Sequence, residues 1–273
     1  MFQKQPYTRL ANGVNMPLIG MGAWDMYGRQ AEKAVMEAIE IGYRLFDTAS
    51  MYGNETDIGR AIRRSKVPRE ELFITTKVNN VDQGFDNTLM GFDKSVKKLG
   101  LEFVDLYLVH WPLKATRRTT WLALEKLYLD KKIRAIGVAN YTQPFLDELS
   151  GYASIIPMVD QIEFTPWLFQ KSLLEYSREM HIQIQAYSPL ARGRKLDDPR
   201  LLTLAKKLGR TPVQVVLAWH LAHGVSAIPK SSSRERLMEN FESTTIELSP
   251  KDVEVIDGFN QDFRVCDDPQ VML

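Results

Sequence analysis

Cysteine is nearly absent from this 273-residue chain. Cys266 stands alone, so no internal disulfide can form, and a reducing, cytoplasmic setting is expected. No apolar run reaches membrane-spanning length, and the first residues, Met1 to Pro6, lack the apolar stretch of a secretory signal. An excess of one charge is also missing. Lys and Arg number 35 against 34 Asp and Glu, a formal net charge of +1, which gives no electrostatic case for nucleic acid or an anionic membrane. There is no GxGxxG phosphate-binding fingerprint, no low-complexity stretch, and no compositional shift that would mark a linker. What remains is ordinary for a globular chain, 44% hydrophobic and 25% charged. A single domain over residues 1–273 is expected, a length that suits an α/β barrel of about 250 residues.

Short apolar runs alternate with helical patterns along the chain. Asn12-Gly13 between two short extended runs predicts a hairpin that covers one end of the fold. Strands are expected over residues 18–22, 45–47, 72–78, 104–110, 133–140, 158–164, 182–187 and 225–229. The helices between them are expected over 31–41, 56–64, 88–99, 121–130, a short one entered at Pro144, 170–180, 201–208 and 212–222. Two more, 234–241 and 251–259, precede an irregular tail. Most strand cores are continuous apolar runs rather than alternating ones, which is the pattern of a parallel sheet buried on both faces. Eight such βα units predict a closed (β/α)8 barrel of the TIM type, with an N-terminal hairpin and a short C-terminal tail.

In such a barrel the chemistry sits at the C-terminal ends of the strands. Asp47 ends the second strand, Lys77 lies near the end of the third, and His110 ends the fourth; Tyr52 follows Asp47 by five residues in a Gly- and Asn-rich turn. A phenol titrates near pH 10, too high to give up a proton readily at neutrality. An adjacent ammonium would lower that value, and a carboxylate beside the ammonium would hold it charged. The set therefore predicts a tuned proton donor, Tyr52 backed by Lys77 and Asp47, aimed at a developing alkoxide, with His110 hydrogen-bonding the substrate oxygen or taking part in proton delivery. It contains no electron source, so a reduction would need a cofactor.

Phe46-Asp47-Thr48-Ala49 with Tyr52-Gly53-Asn54-Glu55, Thr76-Lys77, Leu108-Val109-His110-Trp111-Pro112 and Ile228-Pro229-Lys230-Ser231 resemble the aldo-keto reductase family, in that family's order. The resemblance covers essentially the whole chain. It implies a tetrad of Asp47, Tyr52, Lys77 and His110, and an NADPH molecule, with NADH a weaker alternative, stretched across the barrel mouth without a Rossmann fold. Asn140 and Gln161 would hold the nicotinamide carboxamide, Tyr187 would stack on its ring, and Ser188 and Leu190 would line the pyrophosphate path. Lys230, Ser231 and Arg236 would surround the 2′-phosphate, with Glu239 and Asn240 near the adenine. Ala139 stands where the family usually has Ser, so one carboxamide hydrogen bond is missing or supplied by water. The short segment after Trp111 and the plain tail are similar to the compact bacterial members, such as 2,5-diketo-gluconate reductases, which are mostly monomers.

Trp24, Tyr27 and Trp111 follow strands one and four on the active face and would wall a pocket for small carbonyl compounds. Arg117-Arg118 reads as a solvated loop pair near the mouth. His220 and His223 lie three apart on a helix, a metal-like spacing, but with no third ligand they read as surface histidines and no metal is expected. Two other functions use the same barrel. One is a lyase in which Lys77 forms a Schiff base; the other is a cofactor-binding sensor without turnover.

Overall fold

The computed structural model describes residues 5–271. A hairpin of β1 (Tyr7–Arg9) and β2 (Asn15–Pro17) opens the chain. Eight parallel strands follow: β3 (Met21–Gly22), β4 (Leu45–Asp47), β5 (Phe73–Val78), β6 (Val104–Val109), β7 (Ile133–Ala139), β8 (Val159–Glu163), β9 (Gln183–Tyr187) and β10 (Ser226–Ala227), each paired with its sequence neighbour. A parallel bridge between Ile19 and Ala227 joins the two outer strands and closes the ring. The hairpin lies across the N-terminal ends of the strands. Thr8 Oγ1 donates to Gln183 Oε1 at 3.0 Å, Asn12 Nδ2 to the Arg134 carbonyl at 2.8 Å, and Ser226 Oγ to the Pro17 carbonyl at 3.2 Å. That end is plugged, and the C-terminal end is left for chemistry.

Helices α1 (Gly28–Ile41), α2 (Glu55–Ser65), α3 (Phe85–Leu99), α4 (Arg117–Leu129), α5 (Gln143–Ser150), α6 (Lys171–Glu179), α7 (Pro199–Leu208), α8 (Pro212–Ala222), α9 (Arg234–Glu242) and α10 (Pro250–Asp257) complete the described elements. Several begin a turn earlier than their apolar pattern, because a first turn is polar and carries no periodicity. Gly100, at φ 65°, ends α3 as a left-handed cap, and Thr211 with Gln214 forms a capping box in front of Pro212. Helices α2 and α3 meet so closely that a Cβ on Gly59 would sit 2.0 Å from the Leu99 carbonyl oxygen. Trp121, Trp167 and Trp219 are fully buried in the apolar core. β10 is shorter than its apolar run because the chain leaves Val225 in the turn after α8, where its N–H meets the His220 carbonyl. Beyond Ala227, Pro229 brings no N–H to the ladder. Among the described residues no helix is long and apolar enough to cross a membrane.

Two surface expectations are corrected. Arg117 is not in a loop: it is buried in the first turn of α4 and paired with Glu148, which the apolar pattern starting at Trp121 conceals. His220 is fully buried, because α8 is enclosed by the barrel and by α7, α9 and α10. Its two ring nitrogens lie 2.8 Å from the Val216 carbonyl and 2.9 Å from the Phe164 carbonyl. His223 is tucked against Asp257, at 2.8 Å.

Candidate active site

The lumen of the barrel is polar near its C-terminal end. Asp47 on β4 receives Lys77 Nζ from neighbouring β5 at 2.6 Å and Gln161 Nε2 from β8 at 2.8 Å. β4 and β8 are not neighbours, so the second bond crosses the lumen. Gln161 Nε2 also donates to Gln185 Oε1 at 2.7 Å. Lys77 is fully buried, and its ammonium donates further to the Thr48 carbonyl at 3.0 Å and Tyr52 Oη at 3.4 Å. Three acceptors match the three protons of an ammonium.

Tyr52 returns over Lys77 because the chain after β4 makes a single 3₁₀ turn, Ser50–Tyr52, closed by Gly53 at φ 70°. Ser50 Oγ ties that turn to the Lys77 carbonyl at 3.2 Å. Asn54 braces it from below, donating to the carbonyls of Ala23 and Met26 at 2.7 and 2.9 Å and accepting from Thr48 Oγ1 at 2.6 Å. His110 follows β6 with its ring edge-on to Tyr52, centroids 5.6 Å apart. Asn140 sits in a left-handed turn at φ 65°. Its Nδ2 donates to the His110 carbonyl at 2.9 Å, and its Oδ1 accepts from Tyr187 Oη at 2.7 Å. The four expected catalytic side chains therefore meet at one place.

Burial sets the charges. It works against the Lys77 ammonium, but Asp47 and Tyr52 outweigh it and raise the pKa of the amine, so Lys77 stays charged. The expected lowering at Tyr52 is corrected. Burial raises the phenol by more than the Lys77 ammonium lowers it, because a phenolate here would lose its hydration and face Asp47. His110 is held well below the ordinary imidazole value, by burial first and by Lys77 second, and is neutral at pH 7. The floor thus presents a protonated phenol and a neutral imidazole above a charged amine.

A cleft of about 910 Å³ opens over this floor. Asp47, Tyr52, His110, Asn140, Gln161 and Tyr187 form its deep part, and Ser188 and Leu190 its side. Lys230, Ser231, Arg236, Glu239 and Asn240 line the far end, and Trp24 and Trp111 stand at the mouth. Lys77 lies beneath the lining. Tyr27 is outside it: as the residue before α1 it points to solvent, 54% exposed. Sequence reasoning missed Met51, Arg192, Leu196 and the tail residues Val265, Cys266 and Asp267, all of which face the cleft. Arg192 could have been placed, since it follows Ser188 on the active face; the tail has no periodicity to locate it.

The model of the Aldo/keto reductase family matches residues 18–261. The chain belongs to that family. It is 48% identical over 267 residues to a protein named glyoxal reductase from Bacillus subtilis, with 97% of each chain covered. It is 46% identical over 264 residues to the 9,11-endoperoxide prostaglandin H2 reductase of Trypanosoma cruzi, covering 95% of this chain and 93% of that one. Gox0644, solved as a mutant in complex with NADPH, superposes with a TM-score of 0.94 at 35% identity, covering 99% of this chain and all of its own (100%). This aldo-keto reductase is accordingly an oxidoreductase.

The donor set at the two ends of the cleft differs in kind. Lys230 Nζ is 3.4 Å from Asp25 Oδ2 and 5.8 Å from the centre of the Trp24 ring, and Arg192 covers the same ring at 5.0 Å. Arg236 is exposed in the first turn of α9, whose cap Ser233 accepts its backbone N–H at 3.4 Å. A planar fork and a point charge near a helix N-terminus suit a phosphate dianion. The deep end offers amides and an aromatic ring. Between the ends, Gly22 lines the cleft where two chain segments meet closely, since a Cβ there would lie 2.8 Å from the Ile228 carbonyl oxygen.

Proposed function

We propose that this aldo-keto reductase reduces small aldehydes and α-dicarbonyls to alcohols with NADPH, through Asp47, Tyr52, Lys77 and His110. The observation that carries the reading is Lys77, which joins Asp47 at 2.6 Å and Tyr52 at 3.4 Å directly under the cleft floor, beside His110. The residues present fit the cofactor. Arg236, Lys230 and Ser231 form a phosphate-binding end, and Asn140, Gln161 and Tyr187 form an amide-and-ring end suited to a carboxamide-bearing ring. When bound there, NADPH supplies a hydride to a carbonyl carbon. NADH lacks the 2′-phosphate that the basic end would hold, and is the weaker cofactor.

The chain's own residues do the rest. Neutral His110 has one N–H to orient the carbonyl oxygen toward Tyr52. As negative charge grows on that oxygen, Tyr52 gives up its proton, and the adjacent Lys77 ammonium stabilises the phenolate formed. Asp47 keeps Lys77 charged and aimed. The aromatic side chains Trp24 and Trp111 on the lining suit small carbonyl compounds, and the 48% identity to a protein named glyoxal reductase supports the same reading. A monomer in the cytoplasm belongs to the same reading.

A Schiff-base role for Lys77 is disfavoured by its full burial, its three acceptors and its raised pKa, which leave no free neutral amine facing the cleft. The sensor reading is separated by experiment. NADPH oxidation is followed with glyoxal, and Tyr52→Phe is expected to lose about 100-fold or more in kcat while still quenching with NADPH. Tight NADPH binding without turnover in the unaltered protein would make it a sensor.

A further inference from the structure

One buried carboxylate at the mouth of the barrel takes no part in that chemistry. Glu163 is the last residue of β8, two positions beyond Gln161 and so on the same, lumen-facing side of the strand. It is 1% exposed. Its partners come from the C-terminal tail: Oε1 accepts the Val265 N–H at 2.7 Å and Oε2 the Cys266 N–H at 3.1 Å. Gln170 Nε2 donates to its main-chain oxygen at 2.7 Å, fixing the strand end itself.

The tail needs such a hold. After α10 ends at Asp257 the chain runs on without further helix or strand to residue 271. Its first part is fastened several times over: the Trp167 carbonyl accepts from Gln261 N at 3.0 Å and Phe263 N at 2.9 Å, Asn260 Oδ1 accepts the Phe169 N–H at 3.0 Å, and Gln261 Oε1 accepts from Lys195 Nζ at 2.9 Å. Beyond Phe263, the described polar contacts with the barrel are the Glu163 carboxylate and the contacts of Cys266 Sγ with Arg192 Nη2 at 3.2 Å and Ser188 Oγ at 3.7 Å. Arg264 pairs within the tail, 3.7 Å from Asp268. Yet Val265, Cys266 and Asp267 form one wall of the cleft that holds Tyr52 and His110.

We infer that Glu163 is a positioning residue that latches this wall and so sets which carbonyl compounds fit against it. The inference rests on the carbonyl-reductase reading of the same cleft. Two N–H groups from successive residues converge on one side chain, and a carboxylate can accept both at once. An amide offers one acceptor and turns its own N–H₂ toward the other donor. The placement is costly for the fold: burial pushes the Glu163 carboxyl up, against the two N–H donors and the cations of Arg264 and Arg192. A residue needed only for packing would incur no such cost.

Glu163→Gln tests the latch in the full chain. Losing one charge-assisted bond and opposing another should speed hydrogen exchange of the Val265 and Cys266 amides about tenfold. The same variant should shift KM for a bulky aromatic aldehyde about tenfold, while kcat with glyoxal and the Kd for NADPH stay within about twofold. Glu163→Asp keeps the charge but withdraws it by a methylene, and is expected to fall between the two; it carries the comparison if the Gln variant does not fold. Unchanged exchange at both amides, or an equal KM change for glyoxal and the aromatic aldehyde, overturns the inference. An unaltered protein that reduces no carbonyl would instead sink the proposed function, and the exchange measurement would still decide whether Glu163 holds the wall.

Discussion

Tyr52 is pulled two ways, and the balance predicts a pH profile. Burial raises the phenol above its usual 10.0, and the Lys77 ammonium at 3.4 Å only partly offsets it. As the proposed proton donor Tyr52 must carry its proton, so activity is expected below the folded pKa and lost as pH rises through it. That loss belongs above pH 10. His110, pushed well below 6.5 by burial and then by Lys77, stays neutral through the neutral and alkaline range and adds no inflection there. Measured from pH 6 to 10, kcat/KM for glyoxal should be nearly flat. An inflection between pH 7 and 9 that vanishes in Tyr52→Phe or His110→Gln would count against this balance. That Asp47, Tyr52, Lys77 and His110 gather at one place was legible because strand ends share one rim, but the sign of the Tyr52 shift was not. Sequence supplies charged neighbours in order; burial emerges only when strands far apart in the chain bring His110 and Lys77 against the phenol.

Among the elements, α8 carries the most unusual internal contact. It is apolar on nearly every side, and its one imidazole, His220, ties the helix to the end of β8 through the Phe164 carbonyl at 2.9 Å. Burial lowers the pKa of His220 to about 4, against the pull of the two carbonyls. The folded state therefore binds this proton less readily than the unfolded chain, whose histidine titrates near 6.5. Stability from His220 is fully present above about pH 6.5 and is lost as pH falls toward 4, a change of roughly 3 kcal/mol. Chemical denaturation at pH 7 and pH 5 should show the drop, and His220→Gln should flatten it. An equal pH dependence in that variant would assign the effect elsewhere. The strands were readable because both faces of a barrel strand are buried and leave continuous apolar runs. Helix starts and His220 were not, since a polar first turn has no period and a single histidine does not report which side of α8 meets the barrel.

For the whole molecule, closure of the ring by Ile19 and Ala227 brings the first and last strands together. The loops that follow them then carry Trp24 and Asp25 beside Lys230. One ligand lying along the cleft would touch residues from both ends of the chain, so binding should stabilise the fold as a unit. A ligand that binds only the folded state adds about 2.7 kcal/mol at 100 times its Kd. At about 2–4 °C per kcal/mol for a chain near this size, NADPH should raise Tm by roughly 5–10 °C. NADH at the same concentration should raise it less, because Arg236 and Lys230 then have no 2′-phosphate to hold. Arg236→Ala should bring the two shifts together by weakening NADPH alone, since Arg236 sits at the end of the cleft away from Tyr52. Tyr52→Phe should leave both shifts in place. Equal shifts with NADPH and NADH in the unaltered protein would mean that the basic end does not read the phosphate.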